Sequence, residues 1–268
     1  MSRRSILLSA LALLAAATSA PATASTLVEE VPFITTPDHV TLAMLELAGV
    51  GAQDHVLDLG SGDGRIVITA AKRFGASGLG LEIVPDLVAQ SDANAQRAGV
   101  ADRARFRVQD IFEADLSTAS VITMYLLPEF NLRLRPSLLA LAPGTRIVSH
   151  DWDMGDWEPD RTITLPVPDK AVGREKLSRL HLWHVPAPVQ GRWCAGALTL
   201  EMTQRFQSYR AQFEGGGQRY QWSGRVRGAA LPPPVGGPLR PGLTWRDGAL
   251  HVAAGAPGLP AGTRFASC

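Results

Sequence analysis

Short apolar runs alternate with longer helix-compatible segments over the first half of the chain. Five runs have strand character, at residues 55–59, 79–83, 104–109, 120–125 and 145–149, and the first resembles a parallel strand covered on both faces. Segments 38–48, 66–74, 85–98 and 129–141 are helix-compatible, with Gly99 as a C-cap and Thr36 as an N-cap before Pro37. The alternation predicts an α/β fold with a Rossmann-like, doubly wound sheet.

The pattern changes after residue 160. Segments 162–167 and 180–185 are predicted to complete the sheet as an antiparallel pair. Four later segments have strand character and are separated by glycine-rich turns, namely 193–202, 204–213, 220–226 and 243–252. From residue 187 to residue 268 we therefore expect a small antiparallel β unit, which binds a partner or only covers the sheet.

A glycine loop follows the first predicted strand. Its glycines stand at alternate positions, whereas the dinucleotide fingerprint places the third glycine three residues after the second. Glycines let the backbone approach a ligand, and the following helix offers unpaired N–H groups. The D-x-G-x-G-x-G spacing resembles the first motif of S-adenosyl-L-methionine (SAM) methyltransferases. The predicted SAM contacts of this loop are Asp58, Gly60, Ser61, Gly62 and Gly64.

Acidic residues stand at the ends of the next two strands. Glu82 comes 22 residues after Gly60, where an acid can accept both ribose hydroxyls of an adenosine group. Asp110 follows the third strand and can accept the adenine amino group, while Ile111 packs on the ring. Asp110 can instead cap the following turn.

The ends of the fourth and fifth strands carry the candidate catalytic residues. Tyr125 lies where the sulfonium methyl is expected, and its ring face or hydroxyl can contact a cationic centre. His150 has an ordinary pKa near neutrality, and either His150 or Asp151 can take a proton from the methyl acceptor. Direct methyl transfer needs no metal ion, and we predict none.

Several segments together resemble the FAM173 group of seven-β-strand protein-lysine methyltransferases. They are the leader VPFITTP, the loop DLGSGDGR, the run ITMYLLP, the run NLRLRP and the segment SHDWDMGDW, within residues 31–162. The resemblance implies SAM as cofactor, held by Asp58, Gly60, Gly62, Glu82 and Asp110, and a protein lysine as the acceptor. Two other readings remain open: a SAM- or adenosine-binding protein without turnover, and a small-molecule or lipid methyltransferase.

The N-terminus has the order of a secretory signal peptide. Arg3 and Arg4 precede an apolar stretch, and Ala22-Thr23-Ala24 resembles a cleavage site. We expect residues 1–24 to be the signal, possessing a weak twin-arginine character or serving uncleaved as an anchor, and residues 25–186 to form the methyltransferase domain. The predicted localisation is the periplasm or cell envelope, although SAM is made in the cytoplasm.

Charge and cysteine content add little about partners. The formal net charge of +1 gives no indication of a nucleic-acid partner, and we predict none. Residues 190–268 hold nine arginines and three acids, which suits an anionic envelope partner or simply a solvated arginine face. Cys194 and Cys268 are the two cysteines, and their spacing leaves a disulfide and two free thiols equally open.

Overall fold

The computed structural model describes residues 34–171, 175–233 and 241–268. The predicted signal at 1–24, the start of the leader at 31–33 and most of the proline-rich loop at 232–238 lie outside these residues. Among the described residues, no helix has both the length and the apolar character needed to cross a bilayer.

The first sheet has seven strands in the order β3-β2-β1-β4-β5-β7-β6, in which β7 runs antiparallel to β5 and β6 and all other pairs are parallel. Its strands are β1 (His55–Leu59), β2 (Ser77–Glu82), β3 (Ala104–Val108), β4 (Val121–Met124), β5 (Arg146–His150), β6 (Arg161–Pro166) and β7 (Leu177–His184). Its helices are α1 (Asp38–Leu47), α2 (Arg65–Phe74), α3 (Pro85–Ala98) and α4 (Pro128–Leu139). The predicted doubly wound sheet and the antiparallel pair that completes it are confirmed.

Alternate residues of the central strands face two separate cores. Val56 of β1 packs with Met44 of α1 and Ile66 of α2, whereas the next residue, Leu57, packs with Leu134 of α4 on the opposite face. A strand buried on both faces has little polar character, which is why β1 is almost continuously apolar. The two cores hold the carboxyl ends of β1, β2, β4 and β5 at one edge of the sheet.

One detail of this half differs from the sequence prediction. Pro37 is the N-cap of α1, and no side chain caps the helix, because the hydroxyl of Thr36 contacts the His150 ring instead. The connection from β3 to β4 contains no helix. In it, the carboxylates of Asp110 and Asp115 accept bonds from the N–H groups of Phe112 and Ser117, so two tight turns form this connection, for which no helix was predicted.

The second sheet is antiparallel throughout and has the order β11-β10-β9-β8-β15-β14-β13-β12. Its strands are β8 (Gly191–Ala195), β9 (Leu198–Arg205), β10 (Ser208–Gly215), β11 (Gln218–Arg225), β12 (Ala230–Leu231), β13 (Gly242–Arg246), β14 (Ala249–Ala254) and β15 (Arg264–Ser267). The predicted domain boundary at 186/187 lies between β7 and β8.

Three of the predicted strands in this unit are wrong, because each contains a reversal of the chain. The segments 193–202, 204–213 and 243–252 each contain a turn, at Gly196, Phe206 and Asp247, and these residues have φ of 62°, 51° and 51°. Phe206 gives no turn signal because it is neither glycine nor Asn/Asp. The strand predicted at 220–226 is confirmed within two residues at its start.

A disulfide joins Cys194 of β8 to Cys268, with the two Cα atoms 5.8 Å apart. Of the two alternatives that the cysteine spacing left open, a disulfide and two free thiols, the structure has the disulfide. The bond closes a loop of 74 residues and ties the end of the chain to the first strand of the second sheet.

The second sheet contacts the segment that follows β5. The Phe206 ring stacks on Trp157 at 6.0 Å, and the Gln207 amide donates to the Glu158 carbonyl at 2.6 Å. Arg205 pairs with Asp156 at 2.6 Å. The turn between β9 and β10 therefore supports the segment 154–160, which follows the candidate residues His150 and Asp151.

Candidate active site

The glycine loop sits between the ends of β1 and β2. The N–H groups of Gly60 and Ser61 both donate to the Leu81 carbonyl at 2.9 Å. Gly64 is the N-cap of α2 with φ of 80°, and a Cβ there would lie 2.6 Å from the Phe106 ring. The loop thus depends on glycine both for its backbone conformation and for the space beside α3 and β3.

Glu82 ties this loop to the end of β2. One carboxylate oxygen accepts from the Gly62 N–H at 2.8 Å, and the other accepts from the Ile83 and Val84 N–H groups. A carboxylate offers about four lone-pair directions, and these three bonds leave Glu82 about one for a ribose hydroxyl.

Asp58 is buried at the end of β1, only 2% exposed, and accepts a hydrogen bond from the Thr123 hydroxyl at 2.7 Å. Burial raises the pKa of Asp58 to about 7, and the nearby charges of Glu82 and Asp63 act in the same direction. These three acids give the loop a negative potential, which suits a positively charged ligand.

We call the glycine loop, Asp58 and Glu82 together the SAM edge. Its residues fit SAM on three counts. The acids match its cationic sulfonium and amino groups, and the buried Ser61 hydroxyl has no hydrogen-bond partner among the described residues. Gly60 has a positive φ, and a Cβ there would lie 3.1 Å from a Leu126 methyl, so a side chain would fill the space beside β4. When bound, SAM supplies an electrophilic methyl group.

Asp110 and Ile111 lie beside this edge after β3. One Asp110 oxygen accepts from the Phe112 N–H at 2.8 Å, which is the turn-capping alternative of the sequence analysis. Ile111 is partly buried against the core of Leu59 and Met124. The adenine contacts of both residues stay predictions.

Arg65, the last residue of the glycine motif, fastens the leader to the loop. Its guanidinium pairs with Asp63 at 2.6 Å and donates to the Thr36 carbonyl at 2.9 Å. The Thr36 hydroxyl in turn lies 3.2 Å from Nδ1 of His150. This chain of contacts joins the SAM edge to the end of β5, and sequence reasoning missed it because Arg65 and Thr36 are 29 residues apart.

Tyr125, His150 and Asp151, predicted from the ends of two strands, are brought together. The Tyr125 ring stacks on the His150 ring with centroids 3.9 Å apart, and its hydroxyl donates to Asp151 Oδ2 at 3.3 Å. Leu126, next to Tyr125, touches the space at Gly60. The tyrosine therefore stands at the boundary between the SAM edge and the site where an acceptor can enter.

Burial of His150 lowers its pKa to about 4, against the opposing charge of Asp151. The ring is 1% exposed, and its other nitrogen lies 2.8 Å from the Ser178 hydroxyl. At neutral pH His150 is uncharged and is a poor proton acceptor. We assign it a positioning role beneath Tyr125 rather than the proton-taking role.

Asp151 is better suited than His150 to bind the methyl acceptor. Burial pushes the pKa of its carboxyl upward, but the hydrogen bonds from Lys170 and from the Arg179 N–H hold it below the usual value. Asp151 has φ of 65°, a left-handed conformation that its backbone bond to the Arg179 carbonyl maintains. Burial and the Asp151 charge raise the pKa of Tyr125 to about 12, so the phenol remains protonated.

Two residues that support this cluster escaped sequence reasoning. Buried Asn131 of α4 donates to the carbonyls of Trp152 and Asp153 at 3.2 and 3.1 Å and so fixes the turn after Asp151. Lys170, in the connection between β6 and β7, places Nζ 2.7 Å from Asp151 Oδ2. Asn131 belongs to a recognised motif, whereas Lys170 carries no local signal.

Among the described residues, no group of three or more His, Cys, Asp or Glu side chains is arranged as a metal site.

Comparison with known proteins places this geometry in a family. Residues 58–161 match the ANTKMT methyltransferase domain. A protein-lysine N-methyltransferase of Saccharolobus islandicus is 44% identical over 138 residues, which are 51% of this chain and 86% of that protein. Adenine nucleotide translocase lysine N-methyltransferase of Mus musculus is 32% identical over 41% of this chain, and the match spans only 48% of that protein.

A solved structure gives the same result. An RNA methyltransferase from Salinibacter ruber, crystallised with S-adenosyl-L-homocysteine, is 50% identical with a TM-score of 0.53, covering 58% of this chain and 96% of that one. The sheet order, the glycine loop and these relatives agree. The chain therefore belongs to the same methyltransferase family as the Saccharolobus islandicus protein and is a SAM-dependent methyltransferase with the seven-stranded Rossmann-like fold.

Proposed function

We propose that the enzyme transfers the methyl group of SAM to the ε-amino group of a protein lysine. The observation that carries this proposal is the Tyr125–Asp151 pair, a protonated phenol and an ionised carboxylate beside the SAM edge. The carboxylate of this pair already binds the ammonium of Lys170 at 2.7 Å. The names of the archaeal and mouse relatives support the same acceptor.

Each residue of the cluster has a role in this reaction. Asp151 binds and orients the incoming lysine ammonium, which releases its proton to water before attack. The Tyr125 ring and hydroxyl line the path of the methyl group, and His150 holds that ring in place from below. Positioning supplies much of the rate, because an oriented intramolecular encounter reduces the barrier by about 7–11 kcal/mol.

The charge of the acceptor side favours protein over RNA. The segment 151–160 contains five acids and no lysine or arginine, namely Asp151, Asp153, Asp156, Glu158 and Asp160. A phosphate backbone is bound by basic side chains, and the arginines nearest this segment are already paired with its own acids. RNA remains the second candidate because the relative from Salinibacter ruber is described as an RNA methyltransferase.

The experiment supplies methyl-labelled SAM with two acceptor fractions, total envelope protein and total RNA, in separate reactions. We expect label in protein that is lost on digestion with protease, and strong reduction in Asp151→Asn. Label in RNA alone would refute the proposal. Calorimetric titration with SAM on the same preparations separates lost binding from lost transfer.

We further propose that the enzyme works outside the cytoplasm, with its N-terminus or its arginine-rich second sheet associated with the cell envelope. The signal-like sequence and the Cys194–Cys268 disulfide support this, since disulfides persist in oxidising compartments. N-terminal sequencing of protein from a periplasmic fraction should find Ser25 at or near the start. Full-length protein in the cytosolic fraction with free thiols would refute it.

A further inference from the structure

Lysine is rare in this chain and is concentrated near the candidate active site. The 268 residues contain three lysines, Lys72, Lys170 and Lys176, against 23 arginines. Lys72 is exposed near the end of α2, and the other two lie in the connection between β6 and β7. An enzyme that acts on lysine thus carries one of its few lysines on its own acceptor carboxylate.

Lys170 reaches Asp151 from an anchored backbone. The Lys170 N–H donates to the Val167 carbonyl, and the Val167 N–H donates to the Lys176 carbonyl at 2.8 Å. Val167 is itself buried in the core of α1 and α2. From this support, the Lys170 side chain is 14% exposed and Nζ bonds both Asp151 Oδ2 and the Leu177 carbonyl.

The position of Nζ is the one an acceptor amine would take. Asp151 Oδ2 also receives the Tyr125 hydroxyl at 3.3 Å, and Tyr125 precedes Leu126, which borders the glycine loop. Lys176 differs in each respect, because it is exposed and its Nζ bonds only the Lys170 carbonyl among the described residues. The two lysines of one connection therefore form a natural pair for comparison.

We propose that Lys170 is a methyl acceptor of the enzyme itself, modified within its own chain. The inference rests on the proposed lysine specificity. Lys170 loses one ammonium proton to water while Asp151 holds the amine in place, and its nitrogen lone pair forms the N–C bond. The sulfonium C–S bond breaks with its electron pair remaining on sulfur, which leaves S-adenosylhomocysteine and a methylammonium group. Each methyl replaces one of the three N–H donors of the ammonium, so the third methyl leaves no donor to hold Asp151.

The test incubates the purified full chain with SAM carrying a deuterated methyl group and maps the modified peptides by mass spectrometry. Lys170 should be methylated at least about tenfold faster than Lys176 or Lys72, because Lys170 is already positioned. The rate should not change when the enzyme is diluted, since the reaction is intramolecular. Lys176→Arg should keep the modification, and Lys170→Arg should abolish it.

A second readout needs no SAM. A water-soluble anhydride should acylate Lys170 roughly tenfold more slowly than Lys176, the ratio that one hydrogen bond to a charged group supports. Asp151→Asn should remove this protection, and Asp169→Asn, next to Lys170 in sequence, should keep it. Equal labelling of both lysines would show that the Asp151 contact does not hold Lys170 and would overturn the inference.

The outcomes separate this inference from the proposed function. An unmodified Lys170 in a preparation that methylates lysines of added protein overturns the inference and leaves the function intact. An enzyme that binds SAM and methylates neither Lys170 nor any added protein lysine overturns both. Methylation of Lys72 and Lys176 as fast as Lys170 would show unspecific reaction and would also overturn the inference.

Discussion

At the scale of single residues, the candidate site combines groups that the sequence predicts with groups that only the folded structure reveals. Asp58 and Glu82 were predicted from their distance along the chain to the glycine loop, since that spacing depends on one βαβ unit. Lys170 could not be predicted, because its contact with Asp151 forms only when β7 pairs with β5. The protonation of His150 was equally hidden, since burial by Thr36 and Ser178 lowers its pKa to about 4.

Asp58 should make the SAM-free protein less stable as the pH rises. Its folded pKa of about 7 lies above the unfolded value, so the folded state holds the proton more tightly, and stability falls between about pH 4 and pH 7. Asp58→Asn should therefore gain about 2–3 kcal/mol in unfolding free energy relative to the wild type between pH 5 and pH 8. Urea titrations at both pH values measure this. Asp86→Asn, at an exposed acid of α3, should show no such gain.

Tyr125 should act mainly through its ring. Tyr125→Phe keeps the stacking on His150 and loses one hydrogen bond to Asp151, so kcat should fall about tenfold or less. Tyr125→Ala removes the ring as well and should reduce kcat at least about 100-fold. Single-turnover rates with saturating SAM measure both variants, and calorimetry should give an unchanged SAM affinity for Tyr125→Phe. Equal losses in the two variants would show that the ring is irrelevant.

At the scale of elements, the parallel strands were predictable and several turns were not. A glycine loop between an apolar strand and a helix follows from local pattern, as does Gly99 as the C-cap of α3. The turn at Phe206 has no such signal, because its φ of 51° is maintained by contacts with Trp157 and the neighbouring strands. Thr36 and His150 are 114 residues apart in sequence. No local rule could therefore predict that the Thr36 hydroxyl contacts His150 instead of capping α1.

Two glycines with similar backbone conformations separate strain from crowding. Gly64 and Gly99 have φ of 80° and 70°, but only at Gly64 would a Cβ meet other atoms, at 2.6 Å from Phe106. Gly64→Ala should therefore lower the unfolding free energy by about 1–3 kcal/mol more than Gly99→Ala, the usual cost of overpacking. Chemical denaturation measures the difference. Equal effects would mean that Phe106 moves aside freely.

At the scale of the whole molecule, the second sheet supports the segment that follows the active site. The alternating pattern predicted an antiparallel β unit, but its contacts with residues 156–160 depend on how the two sheets meet. The disulfide adds a covalent restraint within this unit, which suits a protein that works in an oxidising compartment. SAM made in the cytoplasm would then have to reach the enzyme before or after export.

Loss of the disulfide should destabilise the second sheet and spare the first. Closing a loop of 74 residues removes unfolded-state entropy equivalent to about 4 kcal/mol in the chain-entropy description. The double variant Cys194→Ser with Cys268→Ser should lower the unfolding free energy of this unit by up to that amount, while calorimetric SAM affinity stays near the wild type. A lost SAM site would show that the two sheets unfold together.

In the proposed reaction, a methyl group passes from SAM to a lysine side chain held at the Tyr125–Asp151 pair. Amino-acid analysis of hydrolysed protein product, made with methyl-labelled SAM and envelope protein, tests this most directly. We expect the label to be recovered as ε-N-methyl-lysine and Asp151→Asn to lose most of it. Recovery of the label as methylarginine, as a base-labile methyl ester or only outside the protein would contradict it.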